Sequence, residues 1–214
     1  MKTSTMEVKY IDHMGSDNRV VDAARVSFAK IAANYSEEQN AKLIAYLAKH
    51  NHWSPMAHPQ LTLHVKAPIF VARQLVKHQV GGVWNEVSRR YVDSEPEFWF
   101  PEVWRGRPVN AKQGSSGTLN IGGLAYDPHT TCEQALCAYN DMIEYGVAPE
   151  QARMILPQNM QTEWYWTGSL MFFARVCRER LAPGAQQETR EIAEQIAEIV
   201  APLFPVSWSA LMEN

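Results

Sequence analysis

Residues 61–91 have the sequence LTLHVKAPIFVARQLVKHQVGGVWNEVSRRY, and the order of apolar and polar positions in this stretch decides the fold. Its first residues alternate apolar and polar side chains at the two-residue period of a half-buried strand. Residues 68–78 are then apolar on one side when spaced at about 100° per residue, which predicts a helix. Gly81-Gly82 can adopt positive φ and ends that helix in a turn.

The second half of this stretch is rich in polar and cationic groups. Arg73, Gln74 and Lys77 gather on the polar side of the predicted helix, and residues 85–90 are too polar for a core strand. A cationic helix face that leads into a glycine turn, a hydroxyl and two arginines suits a phosphorylated ligand that carries a heterocycle. A solvated helix face followed by a charged loop would have the same composition, and the residues alone do not separate the two interpretations.

Length and composition indicate one globular domain, residues 1–214. Of these 214 residues, 46% are hydrophobic and 20% are charged, which is enough to bury an ordinary core and argues against extensive disorder. A net charge of −3 gives no general attraction to nucleic acid, so any cationic site has to be local. No apolar run reaches the roughly 18 residues of a membrane-spanning helix, and the polar start is unlike a signal peptide. We therefore expect a cytoplasmic protein with no membrane or nucleic-acid partner.

Neither the histidines nor the cysteines predict a metal site. His50, His52 and His58 lie in one predicted loop, but no cysteine or paired carboxylate completes a ligand set at the usual spacing. Histidines in such a loop more often hydrogen-bond a ligand or the backbone. The three cysteines form neither a metal pair nor an even disulfide set, so we expect them to be small buried apolar side chains. They are Cys132, Cys137 and Cys177.

The rest of the chain mixes strands and helices in no regular order. Strands are predicted over residues 8–13 and 161–167. Residues 93–127, rich in Pro, Gly, Ser and Trp, are predicted to be an irregular excursion or a mobile lid. Helices are predicted over residues 20–28, 36–50, 128–145, 149–156, 170–181 and 186–204. This order, with no glycine-rich phosphate fingerprint, predicts an α+β fold.

The predicted helix over residues 170–181 carries arginines on both sides of its apolar stripe. At about 100° per residue, Arg175 and Arg178 border one edge of the stripe and Arg180 lies near the other. Side chains on opposite flanks of one helix are hard to bring to a single pocket within one chain. If both flanks bind ligands, a site shared between subunits is the natural arrangement.

Two separated motifs resemble those of the flavin-dependent thymidylate synthases. The first is Lys77-His78-Gln79 followed by Asn85-Glu86-Val87-Ser88-Arg89-Arg90-Tyr91, similar to the family signature of Arg-His-Arg, seven residues and Ser. The second runs from Ala152-Arg153-Met154-Ile155-Leu156-Pro157 through Trp166-Thr167-Gly168 to Arg180, Ala185-Gln186 and Glu188. Together the motifs cover most of residues 50–190 in the family's order, which favours a ligand site over a solvated face.

The resemblance implies a homotetramer with active sites shared between subunits, built on a central antiparallel twisted sheet flanked by helices. It also implies reductive methylation of dUMP to dTMP, a step of nucleotide biosynthesis. In this reaction 5,10-methylenetetrahydrofolate is the carbon donor, FAD carries hydride and NADPH reduces the flavin. Electrostatics rather than an enzyme cysteine activates the pyrimidine in such enzymes.

The resemblance also implies roles for individual residues. Arg180 matches the arginine that favours ionisation at N3 of dUMP, and Ser88 is the second residue with an implied catalytic role. The residues that match dUMP contacts are Gln74, Lys77, Glu86, Val87, Ser88, Arg90, Arg153 and Arg180. Those that fall where the family binds FAD are Ser54, Lys77, His78, Gln79, Glu86, Ser169, Met171 and Arg175. His52 and His58 lie in the loop that precedes them, and a turn or helix-cap hydroxyl is an equal alternative for Ser54 and Ser169.

The signature departs from the family pattern. Lys77 and Gln79 stand where the family has arginine, which lowers the local positive charge. Eight residues, instead of the seven of the family, separate Gln79 from Ser88. We expect the extra residue to form a bulge at Gly81-Gly82 that leaves Ser88 in register.

Met171 and Gly184 also replace residues that are usually polar in the family, so flavin and folate contacts match less closely than dUMP contacts. These departures leave two alternatives to a dUMP methylase. One is a divergent relative that modifies another pyrimidine deoxynucleotide, such as dCMP, or adds a hydroxymethyl group. The other is a flavin- or nucleotide-binding protein without turnover.

Overall fold

A four-stranded antiparallel sheet lies at the centre of the fold. The computed structural model describes residues 1–92, 94–109 and 114–213. The strands of these residues are β1 (Lys2–Thr3), β2 (Glu7–Met14), β3 (Gln60–Pro68), β4 (Gly82–Glu86), β5 (Glu97–Phe98), β6 (Arg105–Gly106), β7 (Ser116–Thr118) and β8 (Gln161–Ser169). The main sheet has the order β2-β3-β8-β4, and the short strands pair as β1 with β5 and β6 with β7.

Helices pack around this sheet, which confirms the predicted α+β class. The α-helices of the described residues are α1 (Asp17–Arg25), α2 (Glu37–Lys49), α3 (Trp53–Met56), α4 (Ile69–Leu75), α5 (Pro128–Glu144), α6 (Pro149–Ala152), α7 (Leu170–Arg180), α8 (Gln187–Leu203) and α9 (Pro205–Met212). Short 3₁₀ helices lie at Val26–Phe28, Ala32–Asn34 and Arg153–Ile155. No helix in these parts of the chain is long and apolar enough to cross a membrane.

The middle strands β3 and β8 carry the core face of the sheet. In β3, Leu61, Leu63 and Val65 are at most 1% exposed, whereas the residues between them are partly exposed, as the two-residue period predicts. Trp164 and Trp166 of β8 continue the same buried face. Burying a leucine or valine side chain, as in β3, stabilises the fold by about 1.5–3 kcal/mol.

Helix α7 forms the centre of the helical layer. Phe172 and Phe173 pack edge-to-face against Trp166, and their ring centroids lie 5.3 and 5.7 Å, respectively, from that of Trp166. The first half of α7 is buried throughout, and α8 and α9 pack against it. The arginines of α7 lie in its second half and are at least partly exposed, because the apolar stripe occupies the remaining positions.

A tight turn connects α4 to β4. Gly81 has φ +89°, and the amide of Gly82 donates to the carbonyl of Gln79 at 3.3 Å. Strand β4 then pairs with β8 in unbroken register, so Gly81-Gly82 forms a turn and no bulge interrupts this pairing. That the turn accommodates the extra residue of the signature stays a prediction. The ring of Phe172 lies against Gly82 and Gly168, where a Cβ on either would overlap it.

Strand β4, residues 82–86, was not predicted, because the sequence was judged only on whether residues 85–90 suit a core strand. Among the described residues, β4 lies at the edge of the sheet with β8 as its one neighbour, so Val83, Asn85 and Glu86 can be exposed. The polarity correctly excludes a central strand and does not exclude an edge strand.

Several helix boundaries also differ from prediction. The helix predicted over residues 68–78 spans only Ile69–Leu75, because Pro68 is still the last residue of β3. The helix predicted over residues 20–28 begins at Asp17 and ends as a 3₁₀ helix. Helix α9, which begins at a proline, was not predicted.

The segment over residues 93–127 is irregular in its described part except for the short strands β5 to β7. Asp93 and residues 110–113 lie outside the described residues. Its role as a mobile lid stays a prediction.

Candidate active site

A cavity of about 1140 Å³ lies between α4, the end of α7 and the irregular segment, and we call it the first cavity. Helix α4 contributes Phe70 and Gln74 to its wall, and α7 contributes Arg180. The irregular segment adds aromatic side chains, namely Trp99, Phe100, Trp104 and Tyr126. A wall that combines aromatic rings with a few polar groups suits a planar heterocyclic ligand.

A chain of polar side chains runs along this wall. The Gln74 amide nitrogen Nε2 donates to Oε1 of Gln186. Nε2 of Gln186 donates to Oε2 of Glu188 at 2.8 Å, and Nη2 of Arg105 donates to Oε1 of Glu188 at 2.5 Å. Glu188 is only 5% exposed, so its charge is balanced by the single ion pair with Arg105 and by hydrogen bonding. Arg105 also donates from Nε to Oγ of Ser115 at 2.8 Å.

His78 holds Arg180 in the same region. Nε of Arg180 donates to Nε2 of His78 at 3.0 Å, and the His78 side chain is 11% exposed. Burial lowers the pKa of His78, and the charges of Arg180 and Arg175 lower it further, while Glu179, 3.9 Å away, opposes them. The imidazole is therefore neutral near pH 7, with Nε2 as an acceptor and the proton on Nδ1.

A second cavity of about 860 Å³ lies next to the first, and Gln158 lines both. Helix α4 contributes Ile69 and Arg73 to the second cavity and Phe70 and Gln74 to the first, and each pair is four residues apart and so shares one face of the helix. Its charged lining residues are Lys66, Arg73, Glu86, Arg89, Glu95, Glu97, Glu150, Arg153 and Glu163. This mixture of cations and carboxylates differs from the aromatic wall of the first cavity.

The loop that follows β4 is anchored at the rim of this second cavity. Oγ1 of Thr162 donates to Oε1 of Glu86 at 2.7 Å, and Nε1 of Trp84 donates to Oε2 at 3.1 Å. The amide of Val87 donates to the carbonyl of Glu163 at 2.9 Å. Both carboxylate oxygens of Glu86 are thus held by β4 and β8, and the loop leaves the sheet in a fixed direction.

Beyond Val87 the side chains are less constrained. Oγ of Ser88 accepts from the backbone and side chain of Arg90 at 3.4 and 3.3 Å, and the guanidinium of Arg90 lies over the ring of Tyr91. Arg90 and Arg153 are both exposed. Both guanidinium groups can therefore reach a phosphate in solution or at a subunit contact.

The residues predicted to contact dUMP fall in two neighbouring cavities rather than in one. Gln74 and Arg180 line the first cavity. Glu86, Val87 and Arg153 line the second cavity. Ser88 and Arg90 follow directly in the loop, and Lys77 is exposed after the end of α4. One chain alone does not bring these residues together.

The residues predicted to contact FAD are also dispersed. Oγ of Ser169 accepts from the amide of Phe172 at 3.1 Å and caps α7, which is the alternative considered for this hydroxyl. Met171 is buried in the main core. The remaining predicted positions are Ser54, Lys77, His78, Gln79, Glu86 and Arg175, and all except His78 are exposed.

The cysteines offer no activated nucleophile in the described structure. Burial raises the pKa of the Cys177 thiol to about 12, and burial also raises that of Cys132. Cys137 is exposed, so the expectation that all three are buried was wrong at this position. Among the described residues, no group of three or more His, Cys, Asp or Glu side chains is placed to hold a metal ion.

Sequence reasoning missed two residues that fix predicted site residues. Thr162 binds Glu86 from the neighbouring strand, and Arg105 binds Glu188 from the irregular segment. Both contacts join positions more than 70 residues apart, and neither has a local sequence signal. The polar character of Thr162 at an inward position of β8 is the one available hint.

Comparison with known proteins identifies the family of the chain. Residues 9–206 match the family described as "Thymidylate synthase complementing protein". The chain is 42% identical over 207 residues to the flavin-dependent thymidylate synthase of Thermus thermophilus, covering 97% of this chain and 76% of that protein. It is 38% identical over 211 residues to that of Anaplasma marginale, covering 96% and 72%.

A solved structure supports the same assignment. The crystal structure of the UMP/dUMP methylase PolB from Streptomyces cacaoi, bound with 5-Br dUMP, superposes with a TM-score of 0.85. The two sequences are 29% identical, and the match covers 100% of this chain and 97% of PolB. From the matched motifs, the sheet and these relatives, we conclude that the chain belongs to the flavin-dependent thymidylate synthase family of methyltransferase enzymes.

Proposed function

We propose that the protein catalyses the reductive methylation of dUMP to dTMP. One observation carries the proposal: a neutral histidine holds the Arg180 guanidinium at the wall of a large aromatic cavity, with the Gln74 amide on the same wall. This places a permanent cation where a pyrimidine ring can lie against flat side chains. The names of the relatives add uracil nucleotides as the substrate class.

The chemistry requires an electron-rich C5 on the pyrimidine. A guanidinium stays charged at any working pH, so Arg180 can stabilise negative charge that develops on the uracil ring. The carbon is the methylene group of 5,10-methylenetetrahydrofolate. Both of its bonds to folate nitrogens break and a bond to C5 forms, the C5 proton leaves to water, the two nitrogens take up protons, and tetrahydrofolate is released.

A flavin fits the exposed cations near α7. FAD, once reduced by NADPH, would supply the hydride that completes the methyl group. Lys77 and Arg175 are exposed and can pair with the diphosphate of such a cofactor, and His78 accepts from Arg180. Lys77 carries the charge on a flexible stem and lacks the planar fork of arginine, so the cofactor is held here by fewer directional hydrogen bonds.

We also propose a homotetramer whose active sites are shared between subunits. Gln74 and Arg180 face the first cavity, and Glu86 and Arg153 face the second, which lies next to it along α4. A nucleotide can touch both sets when the loop after β4 of one subunit lies against the first cavity of another. Closed symmetric assembly gives every subunit the same role in such an arrangement.

A tritium-release assay tests the proposed reaction. Purified protein is incubated with dUMP tritiated at C5, methylenetetrahydrofolate and NADPH, and release of tritium to water is measured together with dTMP. We expect release that requires both folate and NADPH, from a protein that carries yellow flavin. Absence of release from a flavin-loaded protein that binds dUMP would leave the binding protein without turnover as the better account.

Other pyrimidine nucleotides are assayed in parallel because the signature is altered. Lys77 and Gln79 reduce the positive charge near α7, and the PolB relative is described as acting on UMP as well as dUMP. We expect dUMP to be the best substrate. Faster methylation or hydroxymethylation of dCMP or UMP under the same conditions would assign the divergent activity instead.

A further inference from the structure

We propose that Glu188, acting through Gln186, fixes the amide orientation of Gln74 so that the Gln74 carbonyl oxygen is the atom left to accept a hydrogen bond from the bound nucleotide. Glu188 and Gln186 are then positioning residues. The inference rests on the proposed function in one respect, which is that the nucleotide occupies the first cavity.

The contacts form one continuous chain from the interior to the cavity wall. Glu188, at the start of α8, accepts from Arg105 at 2.5 Å and from Nε2 of Gln186 at 2.8 Å. Oε1 of Gln186 accepts from Nε2 of Gln74. Gln186 and Gln74 are partly exposed, and the buried carboxylate is the fixed end of the chain.

The carboxylate decides the direction of every bond in this chain. An amide side chain can turn its oxygen and nitrogen about with little change in shape, so its orientation depends on its partners. An ionised carboxylate only accepts, so Gln186 has to present Nε2 to Glu188 and Oε1 to Gln74. Gln74 therefore has to present Nε2 to Gln186, which leaves its Oε1 for a ligand.

The surroundings of Glu188 suit an acceptor. Arg105 forms an ion pair with it, and that arginine is itself held by Ser115. Glu188 also lies in the first turn of α8, where the helix dipole favours negative charge.

The orientation has a consequence for the ligand. A free carbonyl oxygen on Gln74 requires a donor on the nucleotide, either a sugar hydroxyl or a ring N–H. A phosphate oxygen or a deprotonated ring nitrogen is repelled at this atom and is directed toward Arg180. One wall of the cavity thus offers one oriented acceptor and one permanent cation.

A thermal-unfolding cycle without ligand tests the direction of the chain. In Gln74→Glu, an acceptor faces the Gln186 oxygen, and Glu188 prevents Gln186 from turning, so we expect Tm at pH 8 to fall by about 4 °C. In the double variant Gln74→Glu with Glu188→Gln, Gln186 can turn and donate to the carboxylate introduced on α4. The fall in Tm of the double variant should therefore be smaller than the sum of the falls in the two single variants.

A matched control separates orientation from simple charge. Glu191→Gln removes a carboxylate one turn further along α8, near both Glu188 and Arg105. Combined with Gln74→Glu, this substitution removes one negative charge from the same region, but Glu188 still prevents Gln186 from turning. We therefore expect the Tm of this double variant not to recover. Equal rescue by both combinations, or additive effects throughout, would overturn the proposal.

Kinetics test the consequence for the nucleotide. We expect Glu188→Gln to raise KM for dUMP about tenfold, with kcat within about twofold of the wild type and flavin content unchanged. Gln186→Met leaves the Glu188–Arg105 pair intact and should raise KM equally, which keeps the test available if Glu188→Gln does not fold. An unchanged KM in a folded Gln186→Met variant would show that Gln186 has only a structural role and would contradict the proposal.

The 3′-deoxy analogue of dUMP identifies the donor. If the sugar hydroxyl meets Gln74, the KM penalty of Gln186→Met disappears with this analogue. If a ring N–H does, the penalty persists, and either result supports the oriented acceptor. A wild-type protein that does not turn over dUMP would refute the proposed function, whereas the unfolding cycle would still report on the polar chain.

Discussion

The two neighbouring cavities along α4 differ in how their polar groups are held. In the first cavity, Arg180 and Gln74 are each bound by a neighbour within the same chain, His78 and Gln186. In the second, Glu86 is bound by Thr162, but the phosphate-binding candidates beyond it are exposed. The chain alone thus prepares the groups that would act on the pyrimidine ring, and it leaves the groups that would bind phosphate free until a ligand or a neighbouring subunit meets them.

This difference matters because pre-organised charge is worth more than mobile charge in catalysis. A group held in place before the reaction requires no reorganisation when charge develops. A mobile surface cation contributes mainly to binding. Removing the held cation of the first cavity, Arg180, should therefore lower kcat, whereas removing the exposed arginines beyond the second cavity should raise KM.

The largest effect is expected from Arg180→Ala. It removes the cation held at the first cavity and should lower kcat for dUMP by about 10²- to 10³-fold while flavin stays bound. Arg178→Ala, on the same helix and outside both cavities as described, is the matched control and should stay close to wild type. Tritium release and the flavin absorbance are measured on both. Unchanged turnover in Arg180→Ala would remove the electrostatic role assigned to this residue.

The next largest effect is expected from Arg90→Ala and Arg153→Ala. Each should raise KM for dUMP by about 10- to 100-fold, since a charge-assisted hydrogen bond to phosphate contributes about 1.5–3 kcal/mol. Both residues are exposed, so Tm should not change. Ser88→Ala should likewise weaken dUMP more than flavin. A fall in kcat at saturating dUMP, with KM unchanged, would contradict the division between the two cavities.

A smaller effect is expected from Thr162→Val, which deletes the hydroxyl bound to Glu86 and keeps the shape of the side chain. Losing one neutral hydrogen-bond donor to this carboxylate should raise KM for dUMP by about 3- to 10-fold. Thr162→Ser restores the hydroxyl and should return KM to near the wild-type value. If both variants behave alike, the loop after β4 does not depend on this bond.

The smallest effect is expected from pH. The pKa of His78 is lowered from its ordinary 6.5, so the folded protein takes up this proton less readily than the unfolded chain. Protonation removes the acceptor for Arg180, so kcat/KM should decline as pH falls through the lowered pKa of the folded protein. Tm should begin to decline below pH 6.5, where the unfolded chain takes up the proton first. Above the ordinary pKa, the contribution of His78 to the free energy of unfolding does not change with pH. His78→Gln keeps an acceptor oxygen without a titrating group, and its profile should lack this component.

Much of the fold could be predicted because its signals are local. The alternation in residues 61–66 and the capping box at Ser36 each fix an element from adjacent residues, and both are present in the structure. Strand β4 was missed because an edge strand tolerates exposed polar groups and so lacks that alternation. Helix α9 was missed because Pro205 reads equally as the end of one helix and the start of the next.

The candidate site was predictable to a lesser degree. The motif residues Arg180 and Gln74 do share one cavity, but Glu86 and Arg153 line the second one. Sequence spacing gives the order of such residues along the chain and not the subunit from which each reaches a ligand. The positions of the arginines on opposite flanks of α7 could be predicted, because positions around a helix follow from residue spacing alone. Those positions led to the prediction of a site shared between subunits.

Subunit complementation tests the central claim most directly. Arg180→Ala and the double variant Arg90→Ala with Arg153→Ala are each nearly inactive at low dUMP, and they are unfolded, mixed and refolded together. If each site takes Arg180 from one subunit and the loop arginines from another, random mixing should restore about a quarter of the wild-type activity. Activity no higher than that of the two variants assayed apart, in mixed oligomers shown to contain both chains, would contradict a site shared across subunits.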